Sequence, residues 1–377
     1  MKKLMSLLLV LVLALSMGTV AFAAGPIQQN TPPKFDVIYK LDDSIQSDEN
    51  YPVGIVAPDQ TFTYNFTAEK VEESTTVTTG QMPAIAPVTV EFKGTGNVPT
   101  TATPMVKKQG TVSFEGVVWP GVGVYYYTVT QTVNNKALGV TYSNASHTLK
   151  VTVAKDPDAS YEQYYVAFVT LTANLGTATD GVTTDKSNGF NNTYTANNLA
   201  VTKEVTGNMG DRNKEFEVDV TFRVPTEIDA AQMLSTITYG TESISTTEAD
   251  WEADDGSNPA TKSVTKTIKL KHDGTVTFQN LPADVTYVVK EKDYTNEAGG
   301  KYDAAKYSIN AAEATVMQDG ATSTMDADGE SVKIVNNKGI NVDTGVLLDS
   351  LPYILLLAFV VVGLAVFFVK RRTAREN

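Results

Sequence analysis

Cysteine is absent from this 377-residue chain, and histidine occurs only twice, at His147 and His272. Without thiols there can be no disulfide, no thiolate metal site and no cysteine nucleophile. Two histidines leave little from which to assemble a histidine-rich metal site or a serine triad. Basic residues are also in short supply, with 30 against 43 acidic ones and a formal net charge of −13. Six of those basic residues lie in the two ends of the chain, so the part between is more acidic still. Such a chain does not bind nucleic acid by neutralising phosphates. Its charge instead supports solubility and mutual repulsion at a crowded surface. No long stretch of 3.6-residue apolar period occurs outside the two ends, and no cofactor or enzyme motif stands out. Asp326, Asp328 and Glu330 form the one weak hint of a metal, calcium, and the same spacing suits a turn.

What is present is clearest at the termini. Lys2 and Lys3 precede an apolar run from Leu4 to about Leu15, which leads to Ala21-Phe22-Ala23. This is the layout of a secretory signal peptide, expected over residues 1–23. Near the other end, Leu351 to Val369 carries no charge, and as a helix it spans about 28 Å, close to the thickness of the hydrocarbon layer. Lys370, Arg371 and Arg372 follow at once and hold that end on the cytoplasmic side. The region between the ends is therefore expected to face outward.

That region has the pattern of an all-β protein. In Glu215 to Val224, the residues Phe216, Val218, Val220, Phe222 and Val224 alternate with polar ones, which gives a strand with one buried face. Val124 to Val129 and Thr286 to Val289 are rich in β-branched and aromatic residues. Turn signals such as Pro120-Gly121, Asp273-Gly274 and Asp328-Gly329 punctuate the runs. A diffuse internal repeat relates residues 121–131 to 282–291 and residues 189–194 to 333–338. Two tandem β-sandwich domains are expected, at 25–196 and 197–340, with a sorting segment at 341–377.

Three residues stand out chemically because strand parity points them inward. Lys203 shares a face with Leu199, Val201 and Val205, and burial drives an amine toward its neutral, nucleophilic form. Glu291 continues the face of Val285, Tyr287 and Val289, and a buried carboxyl keeps its proton. Asn336 shares a face with Val332 and Ile334. Held together, the three could form an amide between Lys203 and Asn336 with loss of ammonia, proximity standing in for a catalyst. Parity alone leaves open a Lys203 that snorkels from a strand edge and an Asn336 that caps a turn.

The segment VTKEVTGNMGDRNKEFEVDVTF, residues 201–222, resembles the opening of the C-terminal domain of streptococcal major pilins. The resemblance extends over nearly all of the outward-facing region. It implies immunoglobulin-like (CnaB-like) sandwiches that form Lys–Asn isopeptide bonds with an acidic helper. By this resemblance Lys203 is the bonding lysine, Glu291 the catalytic glutamate and Asn336 the bonding asparagine, with Asn337 adjacent. In the first domain Asn192 matches the asparagine and Lys40 the lysine. Parity sets Lys40 opposite Phe35, Val37 and Tyr39, with only Ile38 on its side. The helper position holds Gln131, an amide that cannot shuttle a proton as a carboxyl does.

Asn341-Val342-Asp343-Thr344-Gly345 resembles a sortase sorting signal cut between Thr344 and Gly345, although both leading positions depart from the common form. The implied partners are a sortase, peptidoglycan and like subunits in a pilus, with the protein fixed to the cell wall. A lysine that accepts the next subunit is also implied. Lys186 lies near the expected place, and Lys155 follows a strand that echoes another pilin motif without its proline. The alternative is a monomeric wall-anchored adhesin for a host or cell-surface ligand.

Overall fold

The computed structural model describes residues 32–46, 50–155, 164–173, 189–228, 260–296, 301–326, 328–339 and 351–373, together with 238–239, 242–243, 248–254 and 256. The strands of the first sandwich are β1 (Lys34–Leu41), β2 (Gln60–Glu72), β3 (Val88–Phe92), β4 (Met105–Thr111), β5 (Gly123–Thr132), β6 (Val140–Thr141), β7 (Ser146–Lys155), β8 (Tyr164–Ala173) and β9 (Phe190–Tyr194). One sheet runs β4-β1-β9-β6 and the facing sheet β3-β2-β5-β7-β8. Strand β10 (Ala196–Thr206) opens the second sandwich, and β11 (Phe216–Pro225) to β21 (Glu330–Asn337) complete it. Of these, β15 (Thr261–Leu270), β16 (Thr275–Pro282), β17 (Thr286–Glu291), β18 (Lys306–Ile309) and β20 (Ala321–Thr324) carry most of the pairing. One sheet contains β16-β10-β21-β18 in that order, and the other β15-β11-β17-β20.

The period-two pattern becomes a two-layer core. Along β11 every second residue is buried, from Phe216 to Val224, while Thr221 and Thr265 pair their hydroxyls on the outer face at 2.8 Å. The first core is aromatic, with Phe35, Tyr39, Phe62, Tyr64, Phe92 and Phe190 meeting edge to face or tilted. Such contacts add roughly 0.5–1.5 kcal/mol beyond burial. Aliphatic residues dominate the second core, among them Leu199, Val201, Val218, Val220, Val289, Val332 and Ile334.

One topological feature positions the chemistry. In each sandwich the first and last strands are parallel neighbours, β1 beside β9 and β10 beside β21. Only Thr195 separates β9 from β10. Beyond the second sandwich, the helix Leu351–Thr373 is long and apolar enough to cross a membrane and ends in Lys370, Arg371 and Arg372.

Candidate isopeptide site

Lys203 lies in β10 with no exposed surface. The alternation that buries Val201 and Val205 turns its side chain into the core. Its Nζ is 3.3 Å from Oε1 of Glu291, which reaches across from β17 in the facing sheet. Asn336, in β21, is also buried, and its Nδ2 donates to Oε2 of Glu291 at 2.6 Å. The register places Ile334 opposite Lys203 and Asn336 opposite Val205, so lysine and asparagine stand on neighbouring strands one inward step apart. Amine, carboxyl and carboxamide thus converge between the sheets. Asn337 faces outward, where its Nδ2 donates to Asp303 at 2.7 Å.

The surroundings push both titratable groups toward neutrality. Burial lowers the pKa of Lys203, and the nearby Glu291 only partly opposes this. Burial likewise raises the pKa of Glu291, with Lys203 and Asn336 pulling the other way. A neutral amine beside a protonated acid is the state both shifts favour. The Phe216 ring lies 4.5 Å from Nζ, and Tyr294 and Tyr302 pack edge to face on that ring, so this side of the amine is covered by aromatic surface. Two nearby side chains escaped sequence reasoning. The hydroxyl of buried Tyr307 accepts the backbone N–H of Glu291 at 2.9 Å and ties β17 to the opposite sheet. His272 Nδ1 accepts the N–H of Val205 at 3.1 Å. Neither shows in sequence spacing, because Tyr307 reaches Glu291 from another strand and His272 reaches Val205 from the turn after β15.

A pH dependence follows for a Lys203→Met chain. Glu291 then lies buried without its cation, and its folded-state pKa stays above the ordinary 4.5. A raised carboxyl pKa stabilises the folded state below the unfolded value, and that stability is lost as pH rises through the folded value. The variant is expected to melt at a higher temperature at pH 4.5 than at pH 7. Equal melting temperatures across this range would contradict the assignment of Glu291 as the buried acid.

The first sandwich differs. Asn192 is fully buried and forms a reciprocal amide pair with Gln131. Gln131 Nε2 donates to Asn192 Oδ1 at 2.7 Å, and Asn192 Nδ2 donates to Gln131 Oε1 at 3.2 Å. Ser143 N–H and Tyr64 O–H complete the network. Lys40, the sequence candidate for the bonding lysine, does not join them. It points outward and pairs with Asp43 at 2.6 Å. The reason is the pleat: Phe35, Val37, Tyr39 and Leu41 take the inward positions of β1, leaving Lys40 the opposite face. Asn192 stands opposite Tyr39 and Phe190 opposite Val37, so by register Val37 occupies the place that Lys203 holds in the second sandwich. Val37 offers no amine there, and Gln131 offers no carboxyl.

Lys155 is exposed at the end of β7. Lys186, Thr344 and Gly345 lie outside the described residues. Asp326 accepts the N–H of Asp328 in a turn, while Glu330 turns inward to Tyr287 at 2.7 Å, so this stretch does not form a calcium loop. Among the described residues no cluster of three or more acidic or histidine side chains could hold a metal.

Two family models match the two sandwiches separately. Residues 49–195 match a family described as the Spy0128-like isopeptide containing domain. A pilin of Streptococcus pyogenes serotype M1 is 29% identical over 279 residues, covering 71% of this chain and 73% of that protein. The chain is thus similar to a streptococcal pilin over most of its length. Residues 197–338 of this pilin homologue match a second family, described only as a domain of unknown function. Two solved Streptococcus pyogenes major pilins each cover 82% of the chain. The one from serotype GAS13637 is 20% identical with a TM-score of 0.49, and the other is 21% identical with a TM-score of 0.48. They cover 99% and 100% of their own lengths.

Proposed function

We propose that this pilin homologue is a load-bearing shaft subunit, polymerised by a sortase and then joined to peptidoglycan, and stiffened by one isopeptide bond, in the second sandwich. The meeting of Lys203, Glu291 and Asn336 in a buried core carries the reading. The neutral Nζ of Lys203 attacks Cγ of Asn336. A half-turn of the carboxamide exchanges Nδ2 for Oδ1 beside Glu291, whose proton then polarises the carbonyl. Glu291 next takes a proton from the attacking nitrogen and delivers it to the departing one. One C–N bond forms, one breaks, and ammonia leaves. A cleft of about 250 Å³ lined by Glu291, Tyr294, Tyr307, Met317 and Asn336 offers it a way out.

The bond closes a loop of roughly 134 residues, for which chain entropy gives about 5 kcal/mol. In a chain without cysteine this supplies the covalent brace that a disulfide otherwise provides. Val37 and Gln131 leave the first sandwich without such a brace.

Intact mass tests the reading. The chain is expected to be lighter than its sequence mass by one ammonia, about 17 Da, and not by two. Replacing Lys203, Glu291 or Asn336 by alanine restores the full sequence mass, whereas Lys40→Ala leaves the deficit in place. A wild-type chain at full mass would refute the cross-link. On gels of wall extracts a high-mass ladder is expected, and a single band would favour the monomeric adhesin.

A further inference from the structure

The junction between the sandwiches holds a device that the cross-link does not use. Between Asn197 and Leu199 the β10–β16 ladder slips, and Gln279 and Asn280 together oppose Asn198. Asn280 is the bulged residue, with φ 61°. A bulge re-aims its extra side chain, and asparagine tolerates this left-handed conformation better than most residues. The side chain of Asn280 is thereby carried out of its own sheet and onto the first sandwich.

There it behaves like a short piece of strand. Val56 N–H donates to Asn280 Oδ1 at 3.1 Å, and Asn280 Nδ2 donates to Val56 O at 2.9 Å. The Tyr194 hydroxyl donates to the same Oδ1 at 3.3 Å. Asn280 itself has no exposed surface, and its backbone N–H is held by Asn198 Oδ1 at 3.2 Å. Around it, Ala137 of the first sandwich packs into the second core, and Thr195 N–H donates to Gly139 O at 2.7 Å. Gly139 has φ 70°, and a Cβ there would meet Thr195 O at 2.4 Å, so only glycine allows this approach.

We propose that Asn280 is the latch that fixes the angle between the two domains. Adjoining domains joined by modest polar interfaces move relative to each other by default. Here a two-ended amide satisfies both backbone groups of Val56 at once, and that pairing exists only at one orientation. Without it the domains turn about Thr195. The latch holds whether or not the isopeptide bond forms.

The chain's lack of cysteine makes the test direct. Val118→Cys and Val316→Cys, both at exposed positions in different domains, receive spin labels in the full chain. Distances between them are read by double electron–electron resonance. Wild-type protein is expected to give one narrow distribution. Asn280→Gly keeps the bulge conformation but removes the amide, and is expected to give a distribution roughly twofold broader. Asn280→Asp keeps an acceptor for Val56 N–H but loses the donor to Val56 O, and is expected to broaden it as well. Near-UV circular dichroism verifies that both sandwiches stay folded. A broad wild-type distribution, or unchanged widths in both variants, overturns the proposal. Broadening in the glycine variant alone also overturns it, since the backbone and not the amide would then set the angle.

Discussion

Replacing Glu291 by alanine is expected to destabilise the second sandwich more than any other single change at the site. Two losses combine. The cross-link does not form, which removes about 5 kcal/mol of loop-closure stabilisation on the chain-entropy argument. The unreacted Lys203 then remains in the core beside Phe216 and two backbone carbonyls, without the carboxyl that paired with it. Stranding a buried charge in this way costs about 3–5 kcal/mol, part of which the amine escapes by giving up its proton. A typical domain is stable by only about 5–15 kcal/mol, so the variant sandwich should unfold near ambient temperature. Asn336→Ala provides the contrast. It also abolishes the bond, but it leaves the Lys203–Glu291 pair intact and should be clearly the milder of the two. Calorimetry on the pair decides the matter, and the reverse order would show that Glu291 does not compensate the lysine.

Pulled by its two ends, the wild-type chain is expected to show one unfolding event where two sandwiches predict two. Tension enters the second sandwich along β10 from Ala196 and leaves beyond Asn337 at the end of β21. The proposed bond from Lys203 to Asn336 would join these neighbouring parallel strands directly, so everything folded between them would be bypassed. The first sandwich is expected to lack such a shortcut, because Val37 and Gln131 stand where the second has its amine and acid. Its roughly 160 residues, at about 3.5 Å each, should extend by on the order of 50 nm. In a Lys203→Ala chain a second event of similar length should appear. Two events in the wild type would remove the mechanical argument, whatever the mass spectrum says.

Most of this architecture can be read without coordinates, and the particular residues show why. Strand β11 alternates so regularly that its buried face follows from counting by twos. The same count turns Lys203, Glu291 and Asn336 toward the core, where Glu291 lies within ion-pairing distance of Lys203 and hydrogen-bonding distance of Asn336. Lys40 is instructive because its parity already opposed an inward direction and only the resemblance argued for it. In the folded chain the pleat prevailed, since turning Lys40 inward would have expelled Val37 and Tyr39. What counting could not reach are contacts between separate elements, such as Tyr307 on Glu291 and His272 on Val205.

By itself, then, the sequence determined the strand faces, the apolar ends and which side chains of the second sandwich are buried, because a two-residue period needs no partner to be legible. Tertiary structure alone decided that Val37 takes the register place of a lysine beside Asn192, and that a bulge swings Asn280 onto Val56. Both depend on how strands slide against their neighbours. That sliding is set by packing and ladder hydrogen bonds between distant segments, which leave no local trace in the order of residues.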